Sequence, residues 1–230
     1  MKYDAYALKG RIAPAFFSII IPIMVFNHFY ASEEFSKFVG DILGAKLISN
    51  LTISGICLYF LSEFGRILGK NVFEKSYFKD EHHMPTTNFM MFSDSTFSDH
   101  HKIKIREKIL ADFEVTLPTK EDENINELNS RTRIVEVMAQ VRKKLHGNKF
   151  LLQHNIEYGA MRNAIGGSMI GAILSLAGIV IFSFYLPIDL AVYINVITLT
   201  IYFLLIFLSK IIIEFYGKNY AKILYREYLG

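Results

Sequence analysis

Asp99-His100-His101 and His82-His83 are the side chains of this chain best suited by type to chemistry, because carboxylate and imidazole together hold divalent metals and activate water. A working site of that kind needs several further Asp and His ligands. Adjacent histidines on a helix also diverge by about 100°, so these residues read as solvated or capping groups. The sequence has no Gly-rich phosphate loop, nucleophile elbow, His-Glu-x-x-His pair or cysteine pair. Its single cysteine, Cys57, allows neither a disulfide framework nor a Cys-based metal site. No catalytic residue, metal, cofactor or enzymatic activity is expected.

Basic residues are the better candidates for a task. Lys102 with Arg106, and Lys104 with Lys108, form two stripes at helical spacing. Arg131 and Arg133 open a second basic segment, and Arg142, Lys143 and Lys144 close it. With the hydroxyls of Thr86, Thr87, Ser93 and Ser95 nearby in sequence, these cations suit a phosphate-bearing ligand. Thr86, Thr87, Lys102, Lys104, Arg106, Lys108, Arg131 and Arg133 are therefore the expected ligand-binding set. The alternative is a solvated helix face beside anionic lipid headgroups.

These cations lie between long apolar runs. Residues 12–31 and 47–62 come early, and residues 164–209 come late, interrupted at Leu186-Pro187-Ile188-Asp189. A bilayer core about 30 Å thick takes about 20 residues of helix, so the late run reads as two spans. The expected fold is an α-helical integral membrane protein: four transmembrane helices as two hairpins, with a small, mainly helical cytosolic insert that admits some α+β character. The expected division is 1–66 N-terminal hairpin, 67–163 cytosolic domain, 164–209 C-terminal hairpin and 210–230 basic amphipathic extension. A hydrophobic content of 52% beside 20% charged residues suits a chain roughly half in lipid and half in water. The mean hydropathy of +0.28 agrees.

The positions of the charges matter more than the net +3. Of 25 Lys and Arg, only Lys37 and Lys46 fall between the first two spans, and the turn at Pro187 has none. Positive residues stay on the cytoplasmic side, which predicts a multi-pass protein of the bacterial inner membrane with both termini and the insert cytoplasmic. The first span, with Pro14 and Pro22, lacks a small-x-small cleavage site after Tyr30 and reads as retained.

Several polar residues sit at or inside the spans. Glu63 and Arg66 can pair at i,i+3 where the second span ends. Asn155, Glu157, Tyr158, Arg162 and Asn163 load the approach to the third span, each needing a partner or water. They are candidates for gating or coupling, against a conventional interfacial anchor. Asn27, His28, Asn195 and Thr198 are the pore-lining candidates, with helix bridging as the alternative. Gly166-Gly167-Ser168 with Gly171 and Ser175 predicts close packing of the third span on a neighbour, within the chain or in an oligomer.

Within the insert, residues 88–92 read as a short strand. A helix is expected from Ser98 to the Leu117-Pro118 stop, a second from Ser130 to Gly147, and a third from Lys149 into the third span. Such a core is small and is expected to be completed by copies in a homo-oligomer. After Ser209, cations and Glu214 recur every four residues, predicting a basic amphipathic extension that lies on anionic lipid, bundles with its copies or packs on the insert.

Two hairpins around a cytosolic domain, with the Pro85-Thr86-Thr87 segment, the Leu117-Pro118-Thr119 stop and the 155–163 junction, resemble bacterial membrane effectors of anti-phage defence. Nucleotide-controlled four-span channel effectors of the CBASS and Hailong kind are similar in layout. The resemblance implies an oligomeric pore, opened or held shut by a nucleotide or oligonucleotide ligand made by a partner nucleotidyltransferase, that depolarises the membrane. The alternative is a membrane-anchored sensor or scaffold that binds a protein partner through its cytosolic domain.

Overall fold

A computed structural model describes residues 6–29, 59–61 and 63–230. Its longer helices are α1 (Ala13–Phe29), α2 (Asp99–Phe113), α3 (Lys120–Ile125), α4 (Glu127–Lys144), α5 (Lys149–Val180), α6 (Asp189–Phe207) and α7 (Ser209–Leu229). No strand occurs among the described residues. Residues 88–92, expected to be extended, follow the helical turn Pro85–Asn88, where Pro85 supplies the fixed φ that a first helical position favours. The chain divides into two compact units. One comprises Met1–Phe73 and Gly159–Ile212, the other Glu74–Tyr158 and Ile213–Gly230.

Among the described residues three helices are long and apolar enough to cross a membrane: Leu8–Phe26 and Asp189–Phe207, which lie in the first unit, and Lys149–Tyr185, which belongs to it from Gly159 onward. The expected second span, 47–62, lies outside the described residues except for 59–61. The end of α5 widens into a π-helical turn, Ile181–Tyr185. Leu186 N–H donates to the Ile181 carbonyl at 2.9 Å and Ile188 N–H to the Phe182 carbonyl at 3.0 Å, on either side of Pro187, which has no N–H to give. Asp189 then opens α6 with a carboxylate in its first turn.

Polarity on α6 runs opposite to that of a water-exposed helix. Its buried positions, Ala191, Asn195, Thr198 and Tyr202, recur every three to four residues and are mostly polar. Its outward positions, including Leu190, Ile197, Ile201, Phe203, Leu204 and Phe207, are apolar. A surface helix in water buries its apolar stripe, so this arrangement matches a hydrocarbon surrounding. The buried polar groups turn back on their own helix: Asn195 Nδ2 donates to the Ala191 carbonyl at 2.9 Å and Thr198 Oγ1 to the Ile194 carbonyl at 2.7 Å.

The small-residue cluster on α5 is where other backbones come closest. A Cβ on Gly166 would collide with the Gly65 carbonyl and lie 2.5 Å from the Gly69 nitrogen. One on Gly167 would strike Ser18, and one on Gly171 would lie 2.6 Å from the Tyr202 ring. The tight packing expected of this segment is thus made within the chain, against 63–69, α1 and α6.

The second unit is built from capped helices around one core. Ser98 accepts from His101 N–H at 3.3 Å to start α2, which ends at Glu114 in the left-handed conformation. Thr119 and Asp122 form a capping box for α3. Asn126 caps α4 by accepting from Asn129 N–H at 3.0 Å, so that helix begins before Ser130. Gly147, at φ 92°, makes the turn into α5. Ile105, Ile109, Ile134, Val137, Met138 and Val141 meet in the core together with Ala221, Leu224, Tyr225 and Tyr228 of α7. Packing on the polar middle of the chain, one of the three places expected for the C-terminal extension, is present within the second unit. Each large side chain buried there contributes about 1.5–3 kcal/mol, so α7 adds substantially to the core of the second unit.

Candidate functional site

Lys102, Arg106 and Arg131, three of the five arginines and lysines of the second unit that are not exposed, are committed to structure. Lys102 is fully buried, and its Nζ donates to the Met91 carbonyl at 2.7 Å and to the Asp94 carbonyl. Burial lowers its pKa, opposed by the nearby Asp94 and Asp99 carboxylates. Arg106 donates to the Pro118 carbonyl and, at 2.7 Å, to the Met90 carbonyl. Its guanidinium lies 4.3 Å from the Phe92 ring centroid and 3.6 Å from Glu123. Arg131 bonds Glu127 at 2.7 Å, the His82 carbonyl at 2.8 Å and Asn88 at 2.6 Å.

Arg133 donates to the Thr116 carbonyl at 2.8 Å. Lys108 lies 5.7 Å from the Tyr228 ring, and Lys104 is exposed. Long cationic side chains thus tie the loops around α2 together, and a ligand at Lys102 or Arg106 would have to displace those bonds. His82 and His83 are also occupied. His83 Nδ1 lies 2.8 Å from Asp80, and His82 Nε2 lies 3.2 Å from the Thr132 hydroxyl. The His83 hydrogen bond is the main reason the Asp80 carboxyl sits below its ordinary pKa. Among the described residues no group of three or more His, Cys, Asp or Glu is placed to hold a metal.

A cavity of about 260 Å³ opens elsewhere in the second unit, and its lining joins four segments. The turn from Glu81 to Thr87 forms one wall. Val135, Met138 and Arg142 form the next, a single face of α4 at i, i+3 and i+7. Asn155 and Tyr158 come from α5, and Gly217 and Tyr220 from α7, each pair at i,i+3. Gly217 is needed for a close approach, since a Cβ there would meet the Phe78 ring at 3.2 Å and the Tyr158 ring at 3.5 Å.

Several groups of this cavity are engaged. Thr87 Oγ1 donates to the Glu81 carbonyl at 2.8 Å, the Thr86 carbonyl accepts from the buried Tyr225 hydroxyl, and Tyr158 donates to the buried Glu74 carboxylate. Four side chains differ: among the described residues the Arg142 guanidinium, the Asn155 amide, the Glu81 carboxylate and the Thr86 hydroxyl have no hydrogen-bond or ion-pair partner. The Arg142 charge is close enough to Tyr225 to oppose the rise in that phenol's pKa that burial causes. A cation, an amide and two phenol rings thus converge on a small, largely apolar hollow.

The remaining predicted residues lie apart from it. Glu157 accepts from Gln153 at 3.0 Å and faces His154 at 3.1 Å. Arg162 and Asn163 belong to the first unit, where Asn163 Nδ2 donates to the Gly10 carbonyl at 2.7 Å. Glu63 holds Arg66 at 2.6 Å and Arg11 at 3.6 Å. His28 is exposed with its ring 4.7 Å from that of Phe29. The side chain of Asn27 lies outside the described residues. Asn195 and Thr198 are buried against their own helix, as described above.

Of the ligand set read from the sequence, the structure brings only Thr86 and Thr87 to the cavity, and of the coupling set, Asn155 and Tyr158. Arg142 and Tyr220 were missing from both. One signal pointed to Arg142: it continues the stripe of Val135 and Met138, so a cation falls on an otherwise apolar helix face. No protein-family model, curated protein or solved structure matches this chain.

Proposed function

We propose that this chain is an integral membrane protein that acts as an oligomeric, ligand-controlled channel or pore-forming effector, with the control exerted by a small nucleotide-type ligand in the cytosol. The observation that carries the reading is the pairing of two environments in one chain. One unit presents apolar side chains outward on helices of membrane length, and the other holds a cavity with an unpartnered arginine and amide. A ligand can shift a gate only through different affinities for its two states. Helix α5 supplies Asn155 and Tyr158 to the cavity and continues in sequence to Val180, so a ligand there touches the same helix that supplies a span. The bacterial inner membrane, a cytoplasmic insert and termini, homo-oligomerisation and a depolarising role in anti-phage defence complete the proposal. They rest on the charge distribution and on the resemblance in layout.

Ion flux from liposomes carrying the purified protein, with and without cytosolic nucleotides, tests this. Flux that changes on adding nucleotide supports it. Well-folded oligomers that give no flux under either condition refute it.

A second reading, a membrane-anchored sensor or scaffold, is favoured by one feature. Ile125 and Leu128, 84% and 62% exposed, lie three residues apart in sequence where α3 meets α4. An apolar pair of this kind on a water-facing unit suits a protein partner. In that case the chain would bind its partner and leave the membrane potential unchanged.

A further inference from the structure

We infer that the cavity bounded by Arg142, Asn155, Tyr158 and Tyr220 is a binding site for a nucleoside monophosphate, a single planar base carrying one phosphate. The inference deepens the proposed function and rests on it for biological meaning, but the binding chemistry stands on the cavity alone.

Size sets the first limit. At about 260 Å³ the cavity lies just under the roughly 300–1,000 Å³ usual for small-molecule pockets. One base with its sugar phosphate is of that order, whereas two linked nucleotides are not. Charge sets the second. Arg142 offers a planar, permanently charged fork suited to a phosphate, and no carboxylate among the described residues already takes it. A partly buried guanidinium held in no ion pair raises the potential at its own end of the cavity and favours an anion there, while the one carboxylate of the lining, Glu81, is exposed to solvent that screens it.

The rest of the lining selects what the phosphate is attached to. Tyr158, Tyr220, Met84, Met138 and Pro85 give flat, polarisable walls against which a ring stacks. Asn155 has both a donor and an acceptor to offer to a base edge, and its amide has no other partner. Glu81, exposed at the rim, can accept from sugar hydroxyls or an amino group. Inorganic phosphate would use only Arg142, and a free nucleoside would use everything except Arg142.

The test is isothermal titration of the full-length protein in detergent with AMP, GMP, UMP, ribose 5-phosphate, adenosine, inorganic phosphate and a cyclic dinucleotide. At least one nucleoside monophosphate is expected to bind, with adenosine, ribose 5-phosphate and phosphate each weaker by roughly tenfold or more. Arg142→Met is expected to weaken binding roughly ten- to a hundredfold, as for lost hydrogen bonds to a charged group. Asn155→Ala should also weaken it, while Arg226→Met, away from the cavity, should leave it unchanged. A melting curve for each variant separates lost binding from lost folding. Absence of binding by every monophosphate overturns the inference, as does equal binding by Arg142→Met when that variant is folded. Phosphate binding as tightly as the nucleotides overturns the ring-bearing class, and tighter binding of the cyclic dinucleotide overturns the size limit. Binding at Arg142 without nucleotide-dependent flux would leave this site standing and reject the channel. Nucleotide-dependent flux unaffected by Arg142→Met would do the reverse.

Discussion

Gly166 and Gly69 meet backbone to backbone: a Cβ on Gly166 would lie 2.5 Å from the Gly69 nitrogen, with the Gly65 carbonyl closer still. In lipid no water is expelled when helices meet, so such close approach of main chains is what holds them together. Gly166→Ala is expected to cost about 1–3 kcal/mol through overpacking against atoms that cannot rotate away. Gly178→Ala should cost less, because its neighbour is the Asn195 side chain, which can swing aside. Melting of the two variants in detergent gives the comparison, and equal stability would contradict the crossing.

Lys102 does structural work that its charge alone does not reveal. Lys102→Met keeps the apolar stem but orphans the Met91 and Asp94 carbonyls, each at about 1–3 kcal/mol. Lys104→Met, on the exposed face of the same helix, should change stability by less than about 0.5 kcal/mol. Denaturant titration followed by near-ultraviolet circular dichroism measures both. A Lys102 variant as stable as the Lys104 variant would disprove the buried role.

Ile197 is 61% exposed on the outward face of α6. Ile197→Lys places a charge near mid-helix, where insertion costs about 2.5–3.5 kcal/mol. The variant should be lost from the carbonate-resistant membrane fraction or degraded. A variant that is more soluble and accumulates normally would mean that this face contacts water.

Acidification should destabilise the second unit. Asp80, Asp112 and Asp122 all sit below their ordinary 3.8. For Asp112 the main causes are the Lys144 ammonium and the Tyr228 hydroxyl, and for Asp122 the Thr119 amide and hydroxyl. An acid with a depressed folded pKa leaves the unfolded chain holding more protons, so stability falls as pH drops through 3.8 toward the folded value. Glu123 opposes this: burial raises it above 4.5, so the folded state protonates first and gains slightly above that pH. The melting temperature should be flat or slightly higher near about pH 5 and fall below about pH 4, with a shallower fall for Asp112→Asn.

Much of the helical layout was legible because its signals are local. Ser98 before an apolar periodic run foretold the α2 cap, and Lys149 foretold a helix entering the third span. The strand expected at 88–92 failed because Pro85 and the bonds from Thr87 and Asn88 N–H to the Met84 carbonyl, both 2.9 Å, wind that apolar stretch into turns. The site was less legible. Lys102, Arg106 and Arg131 share a sequence pattern with Arg142, and nothing local tells a cation bonded to distant carbonyls from one left without a partner.

Composition and run length by themselves determined that this protein is helical, that three described segments are long and apolar enough to cross a bilayer, and that polar chain lies between them. Those properties follow from hydrophobicity and from the rise of a helix, which each segment carries alone. Tertiary structure decided that α7 joins the core of the second unit and that Arg142 and Asn155 share a cavity. Both depend on which groups distant in sequence come within 3–4 Å, a distance at which desolvation and hydrogen bonding, not periodicity, assign a side chain its task.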